Sequence, residues 1–425
     1  MLIRKLPLGV FFLYNLNEVT NMAQKKKSSN KTNKKIVKTA KKMAKKNPLV
    51  FIIVIIIIAA LAVGCYFLYV NFIAPKMEHN KTNNISSEPE SSMPVSSSSA
   101  APFTGEVAPL DINFLELGNK YTGDSTFIKA GDVDILIDAG SRKNSATTIS
   151  TFIDTYCIDG VLEYVIATHA HQDHIAGFVG SNTDTGILKK YKIDTLIDFS
   201  LTNAISAIYN DYISLRDEKV ASGDIKHHYS ANDCIQGTNG AKRTYNITNG
   251  ITMEILDQKF YREKTSDEND YSVCALFTQG NQHYLFTGDL EKDGEASLVA
   301  SNNLPEVELF KGGHHGSYTA NTDALLSVIK PKNVCICCCA GSDEYTNNPE
   351  NMFPAQAAID RIAKYTDKVY ATTVVADDSK GYKSLNGNVN FHSTDGKDYL
   401  VTGSNNSLIL KDSDWFKNNR TWPTY

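Results

Sequence analysis

The eight cysteines of this chain suggest no disulfide framework, and no C-x-x-C pair recurs at zinc-ribbon spacing. Four of them crowd together as Cys335, Cys337, Cys338 and Cys339. The run V-C-I-C-C-C-A predicts a buried strand in which cysteine serves as a small apolar side chain. A metal-thiolate cluster is the alternative. A broad basic surface is missing as well. The formal net charge is -4, yet residues 1–46 hold thirteen Lys or Arg against one acid, Glu18, which leaves the rest acidic by about sixteen charges. So acidic a region does not coat nucleic acid, and a polyanionic substrate would have to be held locally, by metal ions. No internal repeat is visible.

Charge is absent altogether from residues 49–70. At 1.5 Å per residue this run spans about 33 Å, enough to cross the hydrocarbon core as a transmembrane helix. Pro48 suits its first turn. Residues 1–48 form a basic N-terminus, and lysines just before an apolar run place that end in the cytoplasm and the remainder outside. Met22, just ahead of the lysines, is an alternative start. A cleaved signal peptide is the rival reading, and Ala62-Val63-Gly64-Cys65 loosely resembles a lipoprotein box. The apolar run is long for a signal peptide, however, and Tyr66 to Val70 stay apolar. Residues 71–109 are rich in Ser, Pro, Asn and Glu and read as a flexible tether. The lysines are expected to set topology and meet anionic lipid at the bilayer; nucleic-acid binding is the other reading.

Residues 110–425 read as one α/β domain. Strands are predicted over 112–117, 125–129, 134–137, 164–167, 193–197 and 252–256, in a hairpin over 272–287 around Gly280-Asn281, and over 307–309 and 334–339. Helical periodicity appears at Ile205, Ile208, Tyr209, Tyr212 and Leu215, at Leu325, Leu326 and Ile329, and over 355–365. Strands and helices interleave throughout, which indicates a layered fold.

Polar residues fall at telling places. Asp138, His169, Asp289 and the pair His314-His315 each stand just beyond an apolar strand, where ligand sites gather. The strongest signal is T-H-A-H-Q-D-H-I-A-G, residues 168–177. His169 and His171 can point to one side of an extended segment and hold one metal; Asp173 and His174, entering the next helix, can hold a second. Imidazole with carboxylate suits zinc, and also manganese or iron. Asp289 alone would read as a helix cap, but beside a metal pair it reads as a bridging carboxylate. His314-His315-Gly316-Ser317 offers a further ligand. Asp138-Ala139-Gly140 alone is an ordinary turn. His79, His227, His228, His283 and His392 lack ligand-spaced partners, and His227-His228 reads as exposed polar sequence.

The segments I-N-F-L-E-L-G, T-G-D-S-T-F-I, I-L-I-D-A-G-S, T-H-A-H-Q-D-H, L-F-T-G-D-L-E and H-H-G-S stand in the order seen in metallo-β-lactamase superfamily hydrolases. The H-H-G-S ending resembles ComEC-type DNA-uptake proteins and phosphorylcholine esterases that act on teichoic acid. The resemblance covers about residues 110–400. It implies an αββα sandwich with two divalent ions, zinc with manganese as the alternative, held by His169, His171, Asp173, His174, Asp289 and His315 or His314. Asp138 matches the family's supporting Asp. Three features depart from the pattern: Asn269-Asp270-Tyr271-Ser272 stands where β-lactamases have a ligand His, the turn over 118–125 is lengthened, and Phe353-Pro354 stands where a His is usual.

The reaction implied is phosphodiester hydrolysis by water activated between the ions. Asp173 would orient the water, His314 would protonate the leaving oxygen, and Asp138 would fix a ligand tautomer. The expected substrate contains a phosphodiester, in nucleic acid, teichoic acid or a small molecule. The other expected partner is the bilayer; no protein partner is implied. A β-lactam or lactone hydrolase and a non-catalytic envelope binding protein are the alternatives.

Overall fold

The computed structural model describes residues 105–377 and 380–425. The expected membrane span, the basic N-terminus and nearly all of the tether lie outside the described residues. Among the described residues no helix is long and apolar enough to cross a membrane.

The first half of the domain builds one sheet from β1 (Leu110–Phe114), β2 (Thr126–Ala130), β3 (Val133–Ile137), β4 (Val161–Ala167), β5 (Lys192–Asp198) and β6 (Ile225–Ser230). Strands β3 to β6 are parallel neighbours. Their crossovers carry α1 (Ser145–Ile153), α2 (Gln172–Val179), α3 (Ile187–Lys190) and α4 (Ala207–Ser222). After the short α5 (Ala231–Gln236) a second sheet begins. It comprises β7 (Thr244–Thr248), β8 (Ile251–Ile255), β9 (Ala275–Gln279), β10 (Gln282–Phe286), β11 (Leu309–Lys311), β12 (Val334–Ala340), β13 (Val369–Val375) and β14 (Tyr382–Ser384). Its helices are α6 (Lys292–Ser301), α7 (Asp323–Ile329) and α8 (Gln356–Ile362). The chain then returns to the first sheet, where β15 (Val389–Ser393) pairs with β1 and β16 (Leu400–Gly403) forms the edge. A last helix, α9, is Asp414–Asn419. Each sheet therefore has eight strands.

Period-two burial explains the layering. In the hairpin, Ala275, Phe277, Tyr284 and Phe286 join the core shared with the first sheet, while Leu276 and Leu285 join Leu298, Leu325, Leu326 and Ile359 beneath the helices. Phe114 and Phe286, one from each sheet, stack at 6.2 Å across the seam. Strand β12 is buried along its whole length. Its Cys335 and Cys337 face the inter-sheet core, whereas Val334, Ile336 and Cys338 face the helical layer. The cysteine run is thus a core strand with apolar neighbours on both faces, as expected from the sequence. All seven described cysteines are free and buried. The αββα sandwich is the fold of the described residues.

Candidate metal centre

Parallel strands end at one edge, and there the polar residues meet. Asp138 follows β3, His169 follows β4, Asp289 follows β10, and His314 and His315 follow β11. β2 runs antiparallel to β3, so its entrance lies at the same edge and brings in Asp124. Backbone geometry here is unusual. Asp138, His314 and His315 all take positive φ, at 58°, 46° and 52°. Non-glycine residues adopt that region at a cost of about 1–2 kcal/mol each, which surrounding packing must offset. Close packing rules out a side chain at Gly140, where a Cβ would fall 2.3 Å from the Asp173 carbonyl and 2.6 Å from the Asp124 amide.

All eight residues singled out in the sequence come together. The His169 and His174 rings lie 4.1 Å apart, and His169 Nε2 is 3.0 Å from His171 Nδ1. His169 and His174 are fully buried; His171, at the threshold of α2, is exposed. Asp173 sits in the first turn of α2, where the helix dipole favours an acid. His174 Nε2 and His315 Nε2 approach the same oxygen, Asp289 Oδ2, at 3.0 and 3.1 Å. Asp173 was expected to pair with His174, but its Oδ2 is 3.3 Å from His315 Nε2, so the turn of α2 aims it across the seam. His314 is the outlier. It is partly exposed, its Nε2 is 3.9 Å from Asp289 Oδ2, and its Nδ1 is 3.0 Å from Glu291.

Two acceptors fix the tautomers. His174 Nδ1 lies 2.7 Å from Asp138 Oδ2. His315 Nδ1 donates to the Cys337 carbonyl at 2.9 Å, and a carbonyl can only accept. Both Nε2 atoms are thereby turned toward Asp289. Sequence reasoning passed over Asp124, Lys311, Glu291, Ser272 and Tyr345. Lys311, buried, ion-pairs with Asp124, donates to the Gly288 carbonyl at 2.9 Å and is 3.5 Å from Asp289 Oδ1. Ser272, within the stretch that stands in place of a ligand His, lies 3.4 Å from His169 Nδ1 and accepts the Asp289 amide at 3.1 Å. His228 is also placed differently from expectation: it lies on β6, with Nε2 2.9 Å from the buried Asp198.

Burial is the largest influence on the central ionisable groups. It disfavours the imidazolium of His174 and His315, but Asp289, with Asp138 for the first and Asp124 for the second, more than offsets it. Both pKa values are lifted well above the ordinary histidine value. Burial pushes His169 well below that value, reinforced by His174 and His171. Asp173 and Asp289 stay well below the usual carboxylate range, because neighbouring imidazoles outweigh their burial. For Asp138 burial prevails and its pKa is raised.

Asp124, His174, Asp289 and His315 each offer a ligand atom, all within 4.8 Å of one another. His174 Nε2 and His315 Nε2 are buried without a hydrogen-bond partner. A divalent cation would satisfy such atoms, and the mixed nitrogen and oxygen donors suit one. The residues present fit divalent metal binding.

Residues 118–181 match the metallo-beta-lactamase superfamily. The chain is 24% identical over 196 residues to ComE operon protein 3 of Bacillus subtilis, a match covering 44% of this chain and 21% of that protein. It is 30% identical over 125 residues to Recombination protein 2 of Haemophilus influenzae, covering 29% and 14%. The match thus spans about a fifth or less of these relatives. Among solved structures, the metallo-beta-lactamase fold protein YhfI from Bacillus subtilis aligns with a TM-score of 0.35 and 12% identity, over 69% of this chain and 99% of that one. The chain resembles the metallo-β-lactamase superfamily and, within it, ComEC-like proteins.

Proposed function

We propose that this chain is a metal-dependent phosphodiesterase, anchored in the membrane by residues 49–70 with its hydrolase domain outside the cytoplasm. One observation carries the enzymatic reading: four carboxylates and five imidazoles, from strand ends of both sheets and the start of α2, converge with two orphaned nitrogens turned toward a shared carboxylate. His169, His171, Asp173, His174, Asp289 and His315 would hold two ions, and Asp124 is placed to assist. Two divalent ions would lower the pKa of a water between them and neutralise charge on the phosphoryl oxygens.

The chain's own side chains do the rest. Asp138 and the Cys337 carbonyl keep protons on the outer nitrogens of His174 and His315, leaving their Nε2 atoms free. Lys311 pins Asp124 and the loop carrying Asp289. Asp173 orients the attacking water. His314, oriented by Glu291, presents Nε2 at the open side of the site, where it passes a proton to the leaving oxygen. Placement of Ser272 in the seam, where β-lactamases carry a ligand His, favours phosphodiesters over β-lactams. The name of one relative, Recombination protein 2, supports nucleic acid as a candidate substrate beside teichoic acid.

Elemental analysis and assay of the purified chain test this reading together. Two transition-metal ions per chain and chelator-sensitive cleavage of bis-p-nitrophenyl phosphate are expected. A chain without metal, or one cleaving nitrocefin and no phosphodiester, would refute it.

A further inference from the structure

Residues 341–355 leave β12 and contain no helix or strand before α8. Two side chains of this loop reach the opposite half of the domain. Tyr345 donates its hydroxyl to Asp173 Oδ2 at 2.7 Å. Glu344 accepts the Thr122 backbone N–H at 3.0 Å through Oε2 and ion-pairs with Arg142 through Oε1. Arg142 is itself well positioned. Its guanidinium carbon lies 4.0 Å from the centre of the Tyr121 ring, and Nη1 donates to the Ser141 carbonyl at 2.7 Å. With the Gln172 amide turned to satisfy its neighbours, its oxygen accepts from Arg142 Nη1 and Nε at 3.0 and 3.2 Å. Gln172 stands between His171 and Asp173, and Thr122 is two residues from Asp124. The Glu344 carboxylate therefore sits beside the metal centre.

A guanidinium and a backbone N–H converging on one anion are the donors that hold phosphate oxygens. Here the anion is a carboxylate delivered by a polar loop, while both donors belong to the first half of the domain, which also carries the H-x-H-x-D-H run. We propose that Arg142 and the Thr122 N–H form a seat for a second phosphate of the substrate, and that Glu344 fills this seat until substrate displaces it. The inference rests on the phosphodiesterase reading and narrows it: the preferred substrate carries another phosphate next to the scissile one, as a phosphodiester polymer does. The Arg142 and Glu344 side chains are 28% and 13% exposed and Thr122 is buried, so the seat is partly desolvated, and Glu344 leaves it only when another anion takes over both donors. Displacement of Glu344 would also carry its neighbour Tyr345 away from Asp173. Filling the seat thereby frees the oxygen that Asp173 needs to orient water.

The test is calorimetric titration of the metal-loaded full chain with ligands that resist hydrolysis. The two ligands are thymidine 3′-(methyl phosphorothioate) and the same compound bearing a 5′-phosphate. In the wild type the second phosphate should tighten binding about tenfold, the value of one charge-assisted contact. Glu344→Gln should enlarge that gain, because the competing anion is gone. Arg142→Gln should abolish it. The two variants move in opposite directions, so Glu344→Gln decides the matter even if Arg142→Gln fails to fold. An equal gain in all three proteins, or no gain in both the wild type and Glu344→Gln, overturns the proposal. Cleavage of bis-p-nitrophenyl phosphate by the metal-loaded wild type is measured separately. Its failure would count against the phosphodiesterase reading and leave the binding result standing.

Discussion

Asp138 Oδ2 lies 2.7 Å from His174 Nδ1, and the same carboxylate accepts the Thr168 amide and hydroxyl, each at 2.7 Å. One buried acid thus ties the exit of β3 to the exit of β4 and orients an imidazole of the metal centre. What the sequence shows as an ordinary D-x-G turn is a hinge point of the site.

Asp138→Asn should weaken metal binding without unfolding the domain. The amide retains an acceptor for Thr168 or His174 but loses the charge that favours the Nδ1–H form. Loss of such an outer partner typically costs about 10–100-fold in metal affinity. Metal content across a series of chelator concentrations measures it. Wild-type retention at every concentration would show that Asp138 serves only the turn.

The metal-free protein should lose stability as pH rises from 7 to 8.5. His174 and His315 have folded pKa values lifted well above the ordinary one, because Asp289 and its neighbours outweigh their burial. A raised histidine contributes its full stability below the unfolded value near 6.5 and loses it as pH climbs through the folded value. Asp270, raised by burial to about 6, has mostly ionised below this window. The buried thiols of Cys157 and Cys234, pushed up to about 12 and 11, stay neutral in the fold but ionise at about 8.5 in the unfolded chain, so they add a loss of the same sign at the upper end of the window, equally in the metal-free and the loaded protein. Divalent metal replaces the two histidine protons, so the loaded protein should show a flatter profile. Thermal melts of both forms across the window check this; parallel profiles would contradict it.

Protease added to intact cells should release a soluble fragment by cutting within residues 71–109. The expectation comes from the order of lysines and apolar residues alone. Full protection, while a control surface protein is digested, would invert the topology or show the domain to be shielded.

How much of this was legible in the sequence depends on where each residue packs. The interior strands β1 to β5, β8 to β10 and β12 announced themselves, because they carry an apolar pattern on one or both faces. β6, β7, β14 and β16 did not, and these four are the sheet edges. An edge strand such as I-K-H-H-Y-S meets solvent and is written in polar residues. Two interior strands also lie beyond the predicted ones: β13, V-Y-A-T-T-V-V, which has the β-branched signal, and β15, V-N-F-H-S, which is short and alternates with polar residues. The metal cluster followed the same logic. His169 to His174 are contiguous, so their density was visible. Asp124 is a lone acid in a turn, joined to the site only because β2 runs antiparallel to β3. Lys311 ends an apolar strand, and nothing local marks it as the partner of Asp124. Tyr345 reaches Asp173 across 172 residues of sequence.

His314 and His315 should separate cleanly although they are neighbours. Their successive left-handed conformations turn the two rings apart, with centroids 5.9 Å from each other and planes at 62°. His315 is fully buried, with Nε2 against Asp289 and Asp173, so His315→Ala should lose metal and activity together. His314 reaches the rim and leans on Glu291, so His314→Ala should keep its metal. The rate it loses should depend on the leaving group. p-Nitrophenolate departs without help, whereas an alkoxide needs a proton, and general acid catalysis typically contributes about 10²–10⁴-fold. His314→Ala should therefore cleave bis-p-nitrophenyl phosphate at close to the wild-type rate and fail on a dialkyl phosphodiester such as a dinucleotide. Equal losses on both substrates would remove His314 from the proton-transfer role and leave it as a structural rim residue, while loss of metal would make it a ligand.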